Sequence, residues 1–263
     1  MQYRIIDFHA HAFPENVEEK AVKFLKEYYC LNISRRARIE DLLQSAAQAK
    51  VEKLVLLGTA TYPGQVRNVN NWIASVTDDR VIGFGTLHPD YPDIDEELDR
   101  MEALGLKGIK LHPDFQQFDI DDPRMLPIYE KVGDRFPFLI HMGDENVEYS
   151  SPRKLANVLR QFPQLRVVGA HLGGYARWDE VKAYLVGKNL YLDTSSALFR
   201  LSPEEAVRLI RAHGVDKVLF GTDYPIASHR EELERFLQLE LTEEEREKIL
   251  FKNAYRFLYE KAA

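Results

Sequence analysis

The chain has 263 residues, of which 45% are hydrophobic and 29% charged, the balance of a soluble globular protein with a sizeable core. Its 35 basic and 42 acidic residues leave a formal net charge of −7, which argues against general affinity for nucleic acid or anionic membrane. Cys30 is the single cysteine, so an intrachain disulfide and a thiolate metal cluster are both excluded.

Short, nearly continuous apolar runs recur along the chain, the pattern of strands buried on both faces. The first is YRIIDF (3–8), with no basic-then-apolar leader before it. An interval of about 50 residues follows, with helix-like stretches at 15–29 and 38–50. The remaining runs are KLVLLG (53–58), VIGFGT (81–86), LKGIKL (106–111), FPFLIH (136–141), RVVGAH (166–171), NLYLDT (189–194) and KVLFGT (217–222). They begin roughly every 23–30 residues, the spacing of one βα unit with short loops. Amphipathic segments lie between them, such as 152–162 and 202–214. The latter opens with Ser202 as N-cap and Pro203 at the first helical position, and stops at Gly214. The segment 241–262 reads as one or two closing helices.

Eight alternating strands and helices predict a single-domain (β/α)8 TIM barrel over residues 1–263. No GxGxxG follows the first strand, which weighs against a dinucleotide fold. The insertion at 15–50 leaves the end of strand 1, on the face where barrels carry active sites, and is a lid candidate. No apolar run approaches the roughly 20 residues of a membrane span, so a cytoplasmic protein without membrane partners is expected.

Six of the eight histidines sit at or just past the C-terminal end of a proposed strand. His9 and His11 follow strand 1, His88 strand 3, His112 strand 4, His141 strand 5 and His171 strand 6; Asp223 follows strand 8. In a closed barrel these ends share one bowl. Imidazole and carboxylate are the donors that zinc and similar cations take at about 2.0–2.2 Å. His9 and His11, at i and i+2, share one side of an extended backbone and can grip one ion. By the same alternation Asp7 could orient a histidine from behind. His88 and His112, each in LHPD, can shape a turn or line the pocket. His213 and His229 read as structural, the latter opening a surface helix.

The chain resembles the amidohydrolase superfamily, in the branch of metal-dependent TIM-barrel hydrolases that also holds aminocarboxymuconate semialdehyde decarboxylase and the resorcylate-type decarboxylases. The resemblance runs through DFHAH (7–11), GFGTLHP (83–89), GIKLHP (108–113), LIHMGD (139–144), GAHLGG (169–174), LFGTDYP (219–225) and KNAYRFL (252–258). It implies His9, His11 and His141 as metal ligands, with Asp223 a ligand or beside the metal-bound water. His171 is implied as an acid–base group, or as a ligand to a second ion. Lys110 lies where binuclear members carry a carboxylated bridging lysine; a pocket cation that attracts a substrate carboxylate is the reading favoured here. The implied cofactor is a divalent ion, zinc first and manganese or cobalt as alternatives, one or two per chain. A homodimer is implied too, because family members often pair.

The expected chemistry is hydrolysis of an ester, lactone or amide of a small carboxylated molecule. The ion lowers the pKa of water to about 7, and Asp223 or His171 moves the proton. Lys110, His112, His88 and Arg177 are candidate substrate contacts, as are Arg35 and Arg36. The alternative is non-oxidative decarboxylation of an unsaturated or aromatic carboxylate on the same donors. A TatD-type nuclease fits poorly with the net charge and with a lysine at strand 4. A barrel kept only as a binding module predicts eroded ligand positions, and none of the five is eroded.

Overall fold

A computed structural model describes residues 3–260. Eight parallel strands pair in chain order: β1 (Ile6–Ala10), β2 (Lys53–Leu57), β3 (Val81–Thr86), β4 (Gly108–Leu111), β5 (Phe138–Ile140), β6 (Val167–Gly169), β7 (Tyr191–Asp193) and β8 (Val218–Leu219). The seam between β8 and β1 is closed by backbone hydrogen bonds from Phe8 N to Phe220 O (2.8 Å), Asp223 N to His9 O (2.7 Å) and His11 N to Tyr224 O (2.8 Å). The fold is a single-domain TIM barrel.

Helices α1 (Glu15–Tyr29) and α2 (Ile39–Gln48) join β1 to β2; α3 (Val66–Ser75) and α4 (Ile94–Ala103) follow β2 and β3. Two short helices, α5 (Pro113–Gln116) and α6 (Leu126–Val132), follow β4, while α7 (Pro152–Gln161), α8 (Trp178–Tyr184) and α9 (Pro203–His213) follow β5, β6 and β7. After β8 come α10 (His229–Leu237), α11 (Glu243–Glu247) and α12 (Asn253–Tyr259), the last two joined by a π-helical turn at Lys248–Lys252. At α9 the expected punctuation is present: Ser202 Oγ accepts from Glu205 N at 3.2 Å while the Glu205 carboxylate accepts from Ser202 N. Such caps typically contribute about 1 kcal/mol. No helix among the described residues is long and apolar enough to cross a membrane.

Burial divides the apolar residues by strand alternation. One cluster gathers Ile6, Phe8, Val55, Leu57, Phe84, Leu139, Val168 and Leu219 inside the barrel, with Ala254 and Phe257 of α12 packed against it. Phe257 meets Phe8 edge-on at 5.4 Å. A larger cluster lies between strands and helices. Strand β1 breaks strict alternation. Its register with β2 shifts between Asp7 and Ala10, so Phe8 packs in the inner cluster and Ala10 in the outer one. That extra residue re-aims the side chains that follow, a common use of a bulge beside a site. His9 and His11 face the bowl, whereas Asp7 points the other way, toward His229 of α10.

Candidate metal centre

The tightest part of the bowl is a triangle of donor atoms. His9 Nε2 and His11 Nε2 are 3.2 Å apart, and Asp223 Oδ1 lies 3.5 Å from each. A tetrahedral ion with ligands at 2.0–2.2 Å separates neighbouring donors by about 3.3–3.6 Å. The three atoms therefore fit a divalent cation without rearrangement. Asp223 is a carboxylate in character: burial pushes its pKa up, but His9, His171, His11 and the hydrogen bond from Ser196 outweigh it and hold the group below its usual value. His9 is forced neutral by burial and by Lys110, and burial takes His11 down to about 4. Neutral imidazole is the form that binds a metal.

Behind the triangle, further residues fix each donor. His9 Nδ1 faces Asp193 Oδ2 at 2.9 Å, and His11 Nδ1 faces Leu57 O at 3.2 Å. Both contacts leave Nε2 free to face the bowl. Ser196 Oγ donates to Asp223 Oδ2 at 2.6 Å, leaving Oδ1 toward the histidines. His171 Nδ1 donates to Ser195 O at 2.9 Å, and its Nε2 lies 3.0 Å from His141 Nδ1. Asp223, His171 and Ser196 all hold left-handed backbone (φ 58°, 61° and 49°), a conformation uncommon outside glycine that Asp and His tolerate better than most. Glycines allow the closest approaches. A Cβ on Gly221 would stand 2.9 Å from His9 Cβ, and one on Gly143 would meet the Gly174 backbone at 2.4 Å.

Lys110 is fully buried, its Nζ 3.4 Å from His9 Nε2, and burial lowers it to about 8 against the pull of Asp223 and Asp193. His112 and His141 stack nearly parallel (3.9 Å, 11°), and Tyr29 Oη approaches His112 Nε2 at 3.2 Å. His112, Asp114 and His141 also bring three donors within 4.8 Å. A metal must lie in the plane of each imidazole it binds, so two stacked rings cannot share one ion in this arrangement. Asp114 Oδ2 instead faces His141 Nε2 at 3.6 Å, each atom buried and without a hydrogen-bond partner among the described residues.

His9, His11, Lys110, His112, His141, His171 and Asp223 all line one cavity of about 600 Å³. His88 and Arg177, expected as substrate contacts, are not brought to it. His88 Nδ1 accepts from Asp90 N at 3.2 Å and shapes its own turn. Arg177 ties down the 144–148 loop through Asp144 O, Val147 O and Glu148. Of the other arginines, Arg35 pairs with Glu231. His229 opens α10, as expected, but its side chain is fully buried, with Nδ1 2.9 Å from Ser45 Oγ and Nε2 3.1 Å from Asp7 Oδ2. Asp7 faces His229 and orients no ring of the donor set. It precedes the bulge, and its carboxylate accepts from His9 N, Thr222 N and Thr222 Oγ1.

Sequence reasoning missed Asp193, Ser195, Ser196, Asp114 and Tyr29. The run LDTSS (192–196) follows strand 7 at the same rim as the histidines, and that position was the available signal.

The sequence model of the amidohydrolase family matches residues 6–259. Among solved structures, an uncharacterized TIM-barrel protein from Bordetella bronchiseptica superposes with a TM-score of 0.78 at 22% identity, over 97% of this chain and 98% of that one. A dihydroxybenzoic acid decarboxylase from Polaromonas, with bound manganese and 2-nitroresorcinol, gives 0.75 at 18% identity, covering 99% and 98%. A protein assigned as a 2-pyrone-4,6-dicarboxylic acid hydrolase from Pseudomonas putida gives 0.69 at 18%, covering 100% of both. The likeness to these structures is one of fold, and the family match spans nearly the whole chain: this protein belongs to the amidohydrolase family of enzymes.

Proposed function

We propose that the protein is a metal-dependent hydrolase of an ester, lactone or amide carried by a small carboxylated molecule. The observation that carries this reading is the His9–His11–Asp223 triangle, whose edges of 3.2, 3.5 and 3.5 Å match one divalent ion. His141, which lines the same cavity, is the proposed fourth ligand on the strength of the family resemblance, and its ring has to turn from His171 and Asp114 to take that place; zinc is the proposed metal. When bound there, such an ion supplies Lewis acidity that polarises a carbonyl and acidifies water.

The chain's own groups do the rest. Asp223, held below the usual carboxylate range and steadied at Oδ2 by Ser196, presents Oδ1 to the proposed ion and keeps a second lone pair on that oxygen to accept a proton. His171 donates through Nδ1 to Ser195 O, so its Nε2 carries the lone pair and can take or return a proton. Burial keeps that imidazole neutral. Lys110, beside His9 in the cavity, offers a positive charge to a substrate carboxylate. Of the 15–50 insertion, α1 lines the cavity, with Tyr29 beside His112, and the proposed lid role falls to that helix.

Decarboxylation of an aromatic or unsaturated carboxylate is the second reading. It is favoured by the aromatic wall of the cavity, where Tyr29, Phe115 and Tyr175 stand beside the donor set. Assaying lactones and esters for acid release against hydroxybenzoates for CO2 release separates the two. Acid release with no CO2 supports hydrolysis; CO2 from hydroxybenzoates with inert esters overturns it.

A further inference from the structure

Helix α1 carries an apolar stripe at Val17, Ala21, Phe24, Leu25 and Tyr28, the i, i+4, i+7, i+8, i+11 pattern that normally faces a core. Here it does not. Only Glu18 and Val22 of this helix are buried, and Val17 and Phe24 remain 42% and 47% exposed. Val17, Ala21, Phe24 and Leu25 instead line the cavity that ends at His9, Lys110 and Asp223. Val69 and Trp72 of α3 form the facing wall, and Ile226 adds to it from the loop after β8. The two apolar walls are continuous with the proposed metal centre, and the cavity they enclose, about 600 Å³, is of a size that holds a whole drug-sized ligand. A small carboxylate alone would leave most of it filled with water against apolar surface.

We propose that the substrate is amphipathic: an oxygen-bearing reactive group at the metal centre, continued by an aliphatic or arylalkyl tail that lies between α1 and α3 and covers the α1 stripe. This rests on the reading of the donor triangle as the reactive centre. The tail, not the reactive group, sets specificity. Each methylene buried between the walls raises affinity about fourfold, until the chain reaches the open mouth.

The test uses the metal-loaded protein and straight-chain carboxylates from butanoate to decanoate, with binding measured by titration calorimetry. Affinity rising about fourfold per methylene and then levelling supports the proposal. Val17→Asp and Phe24→Ser should flatten that slope. Both sites are solvent-facing enough for the variants to fold, which circular dichroism checks. Affinity independent of chain length in the wild type, or a slope unchanged in both variants, overturns it. Parallel assays on p-nitrophenyl acetate, hexanoate and octanoate keep this outcome apart from the functional reading. Turnover without chain-length preference sinks the tail site alone, whereas a steep binding slope without turnover of any ester sinks hydrolysis alone.

Discussion

His9 turns its Nδ1 to Asp193 Oδ2 at 2.9 Å, in a contact where both side chains are almost fully buried. A histidine whose Nδ1–H is held by a carboxylate has its tautomer and ring plane set, and its Nε2 lone pair becomes the better donor. Asp193 also accepts from His171 N and Ser195 N through Oδ1, so one carboxylate ties β1, β6 and β7 together at the rim. Asp193→Asn keeps the shape but weakens the acceptor facing His9. Metal affinity, measured by competition with a chromogenic chelator, should fall about 10–100-fold. Unchanged affinity would mean that Asp193 serves only the backbone.

The donor triangle makes a direct stoichiometric prediction. Protein purified without added metal should carry close to one equivalent of a divalent ion by elemental analysis, and the His9→Ala/His11→Ala variant should lose it. Retention in the variant refutes the assignment. Two equivalents in the wild type would favour the bridging reading of Lys110.

Asp114 and His141 form a second orienting pair, their facing atoms 3.6 Å apart and otherwise without partners among the described residues. Burial pushes Asp114 up to about 7, so it faces Nε2 as a weak acid held in a dry site. Its Oδ1 accepts from Ser150 N at 3.2 Å, so removing the side chain leaves that buried N–H without its acceptor, a loss of about 1–3 kcal/mol, and takes the facing carboxyl from His141. Asp114→Ala should lower the melting temperature and weaken metal retention together. A variant with full metal content and wild-type stability would assign His141 no partner here.

Gly221 is required by contact, not by conformation. A methyl there meets His9 Cβ at 2.9 Å and Ser195 Cβ at 3.2 Å. Overpacking of this kind typically costs 1–3 kcal/mol, and here the neighbour that must move is a proposed ligand. Gly221→Ala should therefore lose metal affinity out of proportion to its drop in melting temperature, whereas Gly105→Ala, whose added Cβ meets nothing within 4 Å, should not touch metal binding.

The pH dependence of stability should expose Glu232 of α10. Its Oε2 meets Arg235 at 2.8 Å, but that side chain is 35% exposed and Oε1 has no hydrogen-bond partner among the described residues. Burial therefore wins over the ion pair, and the carboxyl is pushed up to about 8. Because the folded value is raised, the folded state favours the protonated form. The group's stabilising contribution is complete below about pH 4.5 and is lost as pH rises through 8. Glu232→Gln should match wild type in thermal melts at pH 5 and exceed it at pH 9. Equal melting curves at both pH values would place the ionised pair in the native state.

The barrel, the histidine-rich rim and the position of the insertion were legible because they depend on local pattern. Short apolar runs at βα spacing read as inner strands, and in a closed barrel the residues at their C-terminal ends share one bowl. What the chain order could not carry was direction and depth. The bulge in β1 re-aims His9 and His11 toward the site while Asp7, before it, faces the other way, a change that simple alternation does not register. His229 follows Ser228 in an ordinary helix-start signal, yet packing against α2 buries it completely. His88 and Arg177 have the right chemistry and the right rim, but local partners hold them outside the cavity. Asp193 and Ser196 look like any polar loop until β7 and β8 bring them under His9 and Asp223. Residue type and period set which side chains reach the rim; only closure of the barrel, with its bulge and its close glycine contacts, decided which nitrogen and which oxygen face the same point.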